Sequence, residues 1–382
     1  MKKDFDNKVA FLLDGFGNRR HLYQIEALIE KDIQPKIITF LDPKSASSPL
    51  RDYALSQNLV IFMPFRRQEV TKRFSFSFAL NLLHTLKKED IKVVLTHRFK
   101  LLRYLWFCKL FHPNLKVIFH LVIASAIKGW HQRFLFRKFR RLTDKILVNS
   151  SALKEELITK GLVGINDVEI FYSGVDLNDF VVNQPKALLR RSFNLPENST
   201  LLGMIANFRK EKDQNGLLKA LKILKNKKYE VRLILAGDGP FFSETKRLAE
   251  NLKLQEDVFF LGRIDPREVP LLLSALDIFV YATFREGMPL AVLEAMASGL
   301  PIIATDAEGI PDLFQDEITF GIMVPKGDPQ ALASAIERIL NLPEDERLAL
   351  GKNAREVVAK RFSAEILKQN TIKLFEKLLN PL

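Results

Sequence analysis

Short apolar runs alternate along the chain with longer stretches in which apolar residues recur every three or four positions. The short runs are rich in Val, Ile, Leu and Phe, which is typical of strands buried on both faces of a sheet. The longer stretches are typical of helices that pack one face on such a sheet. Strands are predicted at residues 9–13, 37–41, 59–63, 93–96, 116–120, 145–149, 201–206, 231–236, 258–264, 278–282 and 301–305, and helices at 19–31, 152–160, 216–225, 271–275, 290–298, 330–340, 344–362 and 364–379. This order of elements predicts an α/β fold with parallel strands.

The strand–loop–helix–strand unit at residues 278–305 carries the most informative pattern. Gly287 permits a turn after the first strand, and Pro289 suits the first position of a helix, where a missing N–H costs nothing. The helix at 290–298 stops at Gly299. It is apolar on all sides, which predicts that it is buried.

Two carboxylates belong to this unit. Glu294 is the only charge in the apolar helix, and Glu286 lies in the loop that opens it. A carboxylate in a core needs a partner, because leaving it unpaired costs roughly several kcal/mol. The partner is either a neighbouring Arg or Lys or the hydroxyls of a ligand. The N–H groups near Met288 and Leu290 form an anion site at the start of the helix, so a sugar joined to a phosphate suits the set.

The twenty residues from Glu286 onward form a family signature. They read Glu-Gly-Met-Pro-Leu-Ala-Val-Leu-Glu-Ala-Met-Ala-Ser-Gly-Leu-Pro-Ile-Ile-Ala-Thr. This stretch closely resembles the signature of the retaining glycosyltransferases of family 4, the group 1 glycosyltransferases. Members have the GT-B fold, in which two Rossmann-like domains face each other across a cleft and the last helix crosses back to the first domain.

The resemblance implies roles for particular residues. Glu294 is expected to bind the donor ribose hydroxyls, and Glu286 is expected to touch the donor sugar as a catalytic residue. The backbone that faces the sugar and the diphosphate is expected to be that of Gly287, Met288, Pro289 and Leu290.

A basic loop follows the strand at 201–206. Cations after this strand could clamp a diphosphate. Lys212 matches the lysine that does this in the family, whereas the usual arginine position holds Asn207. Arg209, two residues further on, is therefore the second predicted diphosphate ligand. A solvated run of charges is the alternative interpretation.

The resemblance extends to the ends of three other strands. Arg263 and Ile264 are expected to present their backbone to the nucleotide base. Gly17, after the first strand, best fits the Gly-rich loop that approaches the donor phosphates, with a plain strand-to-helix turn as the alternative. His120 ends its strand at the carboxyl edge, where ligands of open α/β sheets collect. A histidine there approaches the donor sugar or the acceptor in the family, so His120 is a catalytic candidate, and a structural histidine is the alternative.

The domain organisation follows from the same resemblance, which covers nearly the whole chain. Its 382 residues suffice for two domains of ordinary size. Residues 1–182 are predicted to form an N-terminal Rossmann-like domain that binds the acceptor. Residues 183–362 are predicted to form the Rossmann-like domain that binds the nucleotide sugar, and residues 363–382 a helix that returns to the first domain.

Charge is distributed unevenly between the two halves. The chain carries a formal net charge of +13. Residues 1–180 hold 30 Lys and Arg against 18 Asp and Glu, a net charge of +12, whereas residues 181–382 hold 28 against 27. This asymmetry predicts that the first domain meets an anionic surface, either nucleic acid or anionic lipid.

Three segments of the first half interleave basic and aromatic residues, at 65–78, 98–116 and 128–145. Such helices can lie on a membrane with cations on anionic lipid. The alternative is that Trp130, Phe134 and Phe139 pack on the domain core while the cations are solvated.

The sequence therefore predicts a retaining hexosyl- or N-acetylhexosaminyl-transferase that uses a nucleotide-sugar donor and a lipid-linked or cell-surface glycan acceptor. A GT-B epimerase or phosphorylase, or a basic nucleic-acid-binding protein, is the alternative; a nucleic-acid partner would leave Glu286 and Glu294 unexplained. No metal or other cofactor is expected, because Asp4 and Asp6 lack supporting ligands. The single cysteine fits a reducing compartment. No apolar signal core and no run of about 20 uncharged residues is found, which predicts a cytoplasmic protein, peripheral at most on the membrane.

Overall fold

The computed structural model describes residues 9–16, 19–43, 48–122, 127, 129–315 and 318–379. It divides into two compact units. Unit 1 comprises residues 1–173 together with 364–382, and unit 2 comprises residues 174–363. The sequence predicted the first boundary at residue 182, whereas the unit ends at Ser173.

Unit 1 is built on a seven-stranded parallel sheet in the order β3-β2-β1-β4-β5-β6-β7. Its strands are β1 (Val9–Leu13), β2 (Lys36–Thr39), β3 (Val60–Phe62), β4 (Val93–Thr96), β5 (Lys116–Leu121), β6 (Lys145–Val148) and β7 (Val168–Ile170). Its helices are α1 (Arg19–Ile29), α2 (Pro49–Ser56), α3 (Arg67–Lys72), α4 (Phe76–Lys88), α5 (Phe99–Phe111), α6 (Trp130–Phe139), α7 (Ser151–Thr159) and α15 (Ala364–Leu379).

The core of unit 1 lies on both faces of this sheet, because successive side chains of a strand point to opposite faces. Leu12 of β1 packs in the cluster that contains Phe78 and Phe119. Its neighbour Phe11 packs in the opposite cluster with Phe375 of α15. The prediction that the last helix returns to the first domain is thereby confirmed.

Unit 2 is built on a six-stranded parallel sheet in the order β10-β9-β8-β11-β12-β13. Its strands are β8 (Thr200–Ile205), β9 (Val231–Ala236), β10 (Val258–Gly262), β11 (Ile278–Tyr281), β12 (Ile302–Thr305) and β13 (Gly321–Val324). Its helices are α8 (Lys186–Ser192), α9 (Gln214–Asn226), α10 (Phe242–Asn251), α11 (Val269–Ala275), α12 (Leu290–Ala297), α13 (Pro329–Leu340) and α14 (Glu344–Arg361).

The predicted fold class, two Rossmann-like domains with parallel sheets, is confirmed. The sequence pattern missed β13 and helices α2, α4, α8 and α10. The apolar run of β13 begins with Gly321, a residue type depleted in strands, and β13 lies at the edge of the sheet, where only Val324 is buried and Met323 is exposed. Among the described helices, none is long and apolar enough to cross a lipid bilayer.

Candidate functional site

The carboxyl ends of all six strands of unit 2 lie at one edge of its sheet, because the strands are parallel. The chain runs from β8 outward through β9 and β10, and then returns to add β11 on the other side of β8. Ligands of open α/β sheets bind where the strand order reverses in this way. The switch point of unit 2 therefore lies between the loops that follow β8 and β11.

These two loops are joined by backbone hydrogen bonds. The N–H of Asp213 donates to the carbonyl of Ala282 at 3.0 Å, and the N–H of Phe284 donates to the carbonyl of Glu211 at 2.8 Å. Lys212 and Thr283 form an isolated antiparallel bridge between them. This bridge fixes the loop that carries the predicted diphosphate ligands against the loop that carries Glu286.

Lys212, Tyr281 and Glu286 form one bonded group at the switch point. The Lys212 ammonium directly contacts the Glu286 carboxylate. It also donates to the Tyr281 hydroxyl at 2.7 Å, and that hydroxyl donates to Glu286 at 2.8 Å. Lys212 and Glu286 keep only 16% and 12% of their side chains exposed. The sequence predicted both charged residues as ligands of one donor, and the structure brings them together in an ion pair.

Burial shapes the electrostatics of this group. It lowers the pKa of the Lys212 ammonium to about 8. The Glu211 carboxylate acts to raise this pKa, whereas the Arg209 cation acts to lower it. Burial and the charge of Glu294 raise the pKa of the Tyr281 phenol far above its usual range. Because Tyr281 stays neutral, it can accept from Lys212 and donate to Glu286 at the same time.

The loop that holds Glu286 is supported by the turn after β12. The N–H of Glu286 donates to the Glu308 carboxylate at 3.2 Å, and Arg285 lies 4.0 Å from the same carboxylate. A Cβ on Gly309 would lie only 1.6 Å from the carbonyl oxygen of Gly287. Only glycine allows this close approach, so the turn holds the start of the signature loop in place.

Helix α12 corrects two predictions. It begins at Leu290 with Pro289 as its N-cap, so Pro289 precedes the first helical position instead of occupying it. The helix is also not buried on all sides. Leu290, Ala291 and Glu294 are half-buried, and they lie on one face because positions three and four apart are neighbours on a helix. Glu294 therefore lies on an accessible stripe and not inside the core.

The four residues whose backbone was predicted to face the donor are also only partly accessible. Gly287 and Leu290 are half-buried, whereas Met288 and Pro289 are buried. The first N–H groups of α12 lack intrahelical acceptors and carry the positive end of the helix dipole. An anion at the accessible start of this helix would therefore be stabilised.

A concavity of about 500 Å³ opens beside this site at the ends of β8, β9 and β10. Arg209, Arg263 and Ile264 all line it. A Cβ on Gly237 would lie 2.1 Å from the carbonyl oxygen of Ala206, so glycine keeps these loops close together. The volume lies within the usual range of small-molecule sites, about 300–1,000 Å³.

Arg209 also lines a second concavity, of about 480 Å³, together with Lys212 and Arg285. Its side chain is exposed and forms no ion pair with any residue that the structure describes. Arg209 thus supplies a cation at the boundary of both concavities.

Of the two candidates in unit 1, His120 is the penultimate residue of β5, which ends one residue later than predicted, and it is fully buried, with its ring 5.8 Å from that of Phe171. Gly17 falls outside the described residues, as do Asp4 and Asp6. No group of three or more His, Cys, Asp or Glu that could hold a metal ion occurs within the described ranges.

Sequence reasoning missed Tyr281 and Glu308. Tyr281 lies within the apolar run 278–282, which predicts a buried strand and no polar role. Its position at the carboxyl end of β11, five residues before Glu286, was the signal that could have found it. Glu308 lies outside every pattern used above, and its contact with the Glu286 N–H depends on tertiary structure.

Two family profiles match the chain. The profile of "Glycosyl transferases group 1" matches residues 185–357. The profile of "Glycosyltransferase Family 4" matches residues 18–179. The first profile thus lies within unit 2, and the second lies in unit 1 except for its last six residues.

Similar proteins with known names share part of the sequence. The chain is 31% identical over 226 residues to the N-acetyl-alpha-D-glucosaminyl L-malate synthase of Bacillus anthracis, a match that covers 58% of this chain and 57% of that protein. It is 24% identical over 294 residues to the alpha-monoglucosyldiacylglycerol synthase of Streptococcus pneumoniae, covering 76% of this chain and 63% of that protein. The chain thus spans less than two thirds of the length of these relatives.

Similarity in structure extends over both units. The HepE protein of Anabaena, solved in complex with UDP and glucose, superposes with a TM-score of 0.79 at 19% identity. The match covers 97% of this chain and 99% of that protein. At this identity the likeness shows a shared fold.

Proposed function

Because the chain belongs to the group 1 glycosyltransferases of family 4, we propose that it transfers a sugar from a nucleoside-diphosphate donor to a hydroxyl group of a glycan or lipid acceptor. The observation that carries this proposal is the bonded group of Lys212, Tyr281 and Glu286 at the switch point of unit 2. A cation and a carboxylate held side by side suit a ligand that joins a diphosphate to a sugar.

The donor would bind along the carboxyl edge of unit 2. Its base would occupy the concavity lined by Arg263 and Ile264. Its ribose hydroxyls would donate to Glu294 on the accessible stripe of α12. Its diphosphate would contact Arg209, Lys212 and the first N–H groups of α12, which together offer charge-assisted hydrogen bonds.

The reaction would break the bond between the anomeric carbon and the diphosphate oxygen. A new bond forms from that carbon to the acceptor oxygen, and the proton of the acceptor hydroxyl passes to the departing diphosphate. Arg209, Lys212 and the start of α12 would stabilise the charge that develops on the leaving group. We propose that the configuration of the sugar is retained, with attack from the face that the diphosphate leaves, and that no metal ion is required.

The transferred group would be a hexose or an N-acetylhexosamine. The names of the two relatives, an N-acetylglucosaminyl malate synthase and a monoglucosyldiacylglycerol synthase, support this range of sugars. The second name and the basic first half of this chain support an acceptor that is linked to lipid or belongs to a cell-surface glycan.

Donor binding would rearrange the ion pair in the site. A diphosphate competes with the Glu286 carboxylate for the Lys212 ammonium. Once released from Lys212, Glu286 can accept hydrogen bonds from the hydroxyls of the donor sugar. Tyr281 keeps both side chains at the site during this exchange, because its hydroxyl is bonded to each of them.

The variant Glu286→Ala tests the assignment of the catalytic carboxylate. We expect it to lower the transfer rate by about 10²–10³-fold while the fold and the binding of free UDP are kept, because the sugar contact is lost and the base concavity is not. Donor candidates are first screened by thermal shift, and the best is paired with extracted membranes as acceptor. Glu250→Ala changes an exposed glutamate of the same unit that lines neither concavity; it is the matched control and should retain full activity.

The products distinguish the competing activities. Transfer to the extract supports the proposal. Turnover of the donor without acceptor would indicate an epimerase, and turnover that consumes inorganic phosphate would indicate a phosphorylase. Wild-type turnover by Glu286→Ala would refute the role given to this residue.

We also propose that unit 1 contacts anionic lipid through helix α6. Trp130 and Phe134 are 72% and 57% exposed, so they do not pack on the core, whereas Phe139 packs against Trp106 at 5.7 Å between ring centroids. The exposed rings lie among the cations of the same helix, including Lys138. An apolar surface surrounded by cations suits the headgroup region of an anionic membrane.

Co-sedimentation with lipid vesicles tests this contact. The double variant Trp130→Ser with Phe134→Ser should weaken binding to phosphatidylglycerol-containing vesicles by about tenfold or more, because it removes the apolar part of the contact. Leu348→Ser, which changes an equally exposed residue of unit 2, should bind like the wild type. Equal binding by all three proteins would contradict this role for α6.

A further inference from the structure

The sheet of unit 1 has a switch point of its own, between β1 and β4. Asp14 follows β1, and His97 and Arg98 follow β4. The Asp14 carboxylate accepts from Arg98 at 3.2 Å and from Arg67 at 3.1 Å, and lies 3.6 Å from the His97 ring nitrogen. The one carboxylate named here is therefore shared among three cationic or ionisable side chains.

A polar cluster is buried next to this switch point. Arg20, His21 and Gln24 belong to α1 and are 3%, 2% and 0% exposed. His120 is the penultimate residue of β5, two strands from β1 in the sheet, and is 0% exposed. The rings of His21 and His97 lie 5.1 Å apart, which joins the cluster to Asp14.

Several polar atoms of this cluster lack hydrogen-bond partners within the described part of the chain. They are both ring nitrogens of His120, both amide atoms of Gln24 and the Nε2 atom of His21. Buried polar groups in native proteins are nearly always paired, because an unpaired group loses its bonds to water without compensation. A concentration of such atoms at the carboxyl edge of a parallel sheet indicates a place where a ligand supplies the missing bonds.

The charges of the cluster indicate the kind of ligand. The charged side chains named above are three guanidinium groups against one carboxylate. Burial lowers the pKa of His21 and His120 well below the usual range, and the Arg20 cation acts in the same direction. Both imidazoles are therefore neutral and can each take up a proton when an anion arrives. An anionic oxygen group would be attracted to this set and would accept its N–H bonds.

We propose that the cluster of Arg20, His21, Gln24 and His120 binds a phosphate or carboxylate group of the acceptor. This inference rests on the proposed glycosyltransferase function, and it assigns the acceptor to the class of anionic compounds. It agrees with the excess of positive charge, +12 over residues 1–180. The ligand group is small because the side chains that would hold it are buried.

Imidazole resonances of the full chain test the proposal, since the protein has only six histidines. The protein is labelled with ¹⁵N-histidine and saturated with UDP, so that the diphosphate site of unit 2 is filled. Inorganic phosphate or glycerol 3-phosphate is then added in one arm, and vesicles with phosphatidate in the other. We expect the signals of His21 and His120 to move toward the protonated form, and that of His112, at the amino end of β5, to stay.

The variant Gln24→Leu tests whether the response to the anion depends on this cluster. Gln24→Leu removes two of the unpartnered atoms at nearly constant volume and should weaken the response to the anion about fivefold or more. His112→Gln is the control, because it changes another histidine with an unpartnered ring nitrogen, and it should leave the response intact. If Gln24→Leu does not fold, the titration of the wild-type protein still decides the question.

The results of the histidine titration can be distinguished from results that concern the donor site of unit 2. A response to soluble phosphate supports a soluble anionic acceptor, and a response to vesicles alone supports a lipid acceptor. Unchanged His21 and His120 signals in both arms would overturn the proposal, as would a response that appears only without UDP, since the anion would then occupy the donor site. Failure of UDP to bind unit 2 would count against the proposed function instead.

Discussion

Both units have a switch point in a parallel sheet, but they differ in whether the buried polar side chains beside it are hydrogen-bonded. In unit 2, the buried charges of Lys212 and Glu286 are paired with each other and with Tyr281. In unit 1, His120 and Gln24 are buried at the corresponding edge, and their polar atoms have no partner among the described residues. The parallel sheet determines where each site lies, and the side chains determine what it can bind.

This difference suggests how each site would respond to its ligand. The site of unit 2 would exchange one ion pair for contacts with the donor, so its affinity depends on the charge state of Lys212. The cluster of unit 1 would gain bonds that it lacks, so its ligand adds to the stability of the unit. The predictions below test the two halves of this comparison.

The largest effect is expected from removing the cation of unit 2. Lys212→Met should raise the Kd for the donor by roughly 10- to 100-fold, because a charge-assisted hydrogen bond to the diphosphate contributes about 1.5–3 kcal/mol. Isothermal titration calorimetry with the donor measures this change. Lys210→Met alters an exposed cation of the same loop and should change the Kd less than about threefold. If both variants lose affinity for the donor equally, Lys212 has no specific role and belongs to a solvated run of charges.

The pH dependence of donor affinity should be large above pH 8. The diphosphate requires the charged ammonium of Lys212, whose pKa burial lowers to about 8. Affinity should therefore be constant below this pH and fall as pH rises above it, approaching tenfold per pH unit. Lys212→Arg keeps its charge and should give a flat profile, and any titration of the donor itself would appear in both proteins. If the affinity of both proteins fell equally with pH, Lys212 would not be the group whose charge the donor requires.

A matched pair of glutamines tests the contrast in hydrogen bonding. Gln24→Leu in unit 1 should leave the free energy of unfolding unchanged or raise it by about 1 kcal/mol, because a buried unpaired amide is removed. Gln214→Leu in unit 2 should lower it by about 1 kcal/mol, since the Gln214 amide donates to the carbonyl of Asn207 at 3.3 Å. Urea denaturation of both variants measures the difference. A loss of more than about 2 kcal/mol in Gln24→Leu would show that its amide is bonded within the protein.

The smallest effect is expected from a metal chelator. If Arg209, Lys212 and the start of α12 carry the charge of the leaving diphosphate, EDTA should change the initial transfer rate by less than about twofold. A strong loss of activity that Mg²⁺ or Mn²⁺ restores would show that a metal shares this task.

The sequence predicted the central strands well because their burial on both faces requires continuous apolar runs. The ranges predicted for β1, β4 and β9 agree with the structure at both ends. The signature stretch also led to Glu286 and Glu294 as candidates, and the basic loop after the strand at 201–206 led to Lys212. These features are encoded locally, in runs and spacings that can be read without tertiary contacts.

The features that the sequence did not predict depend on contacts between distant residues. Tyr281 and Lys212 are 69 positions apart, and their hydrogen bond exists only because β8 and β11 are neighbours. The accessible stripe of α12 was missed because alanine is apolar whether it is buried or faces a site. The cluster of unit 1 was missed because Arg20, His21 and Gln24 look like the polar face of an ordinary helix.

Amide hydrogen exchange of the full chain with and without donor tests the central claim most directly, that a nucleotide sugar binds at the switch point of unit 2. Bound donor should slow exchange at residues 207–213, 237–240, 262–264 and 286–292, while helix α8, which is bonded to the opposite, amino edge of the sheet, exchanges as before. Protection confined to unit 1, or none with any donor that the protein turns over, would contradict the account.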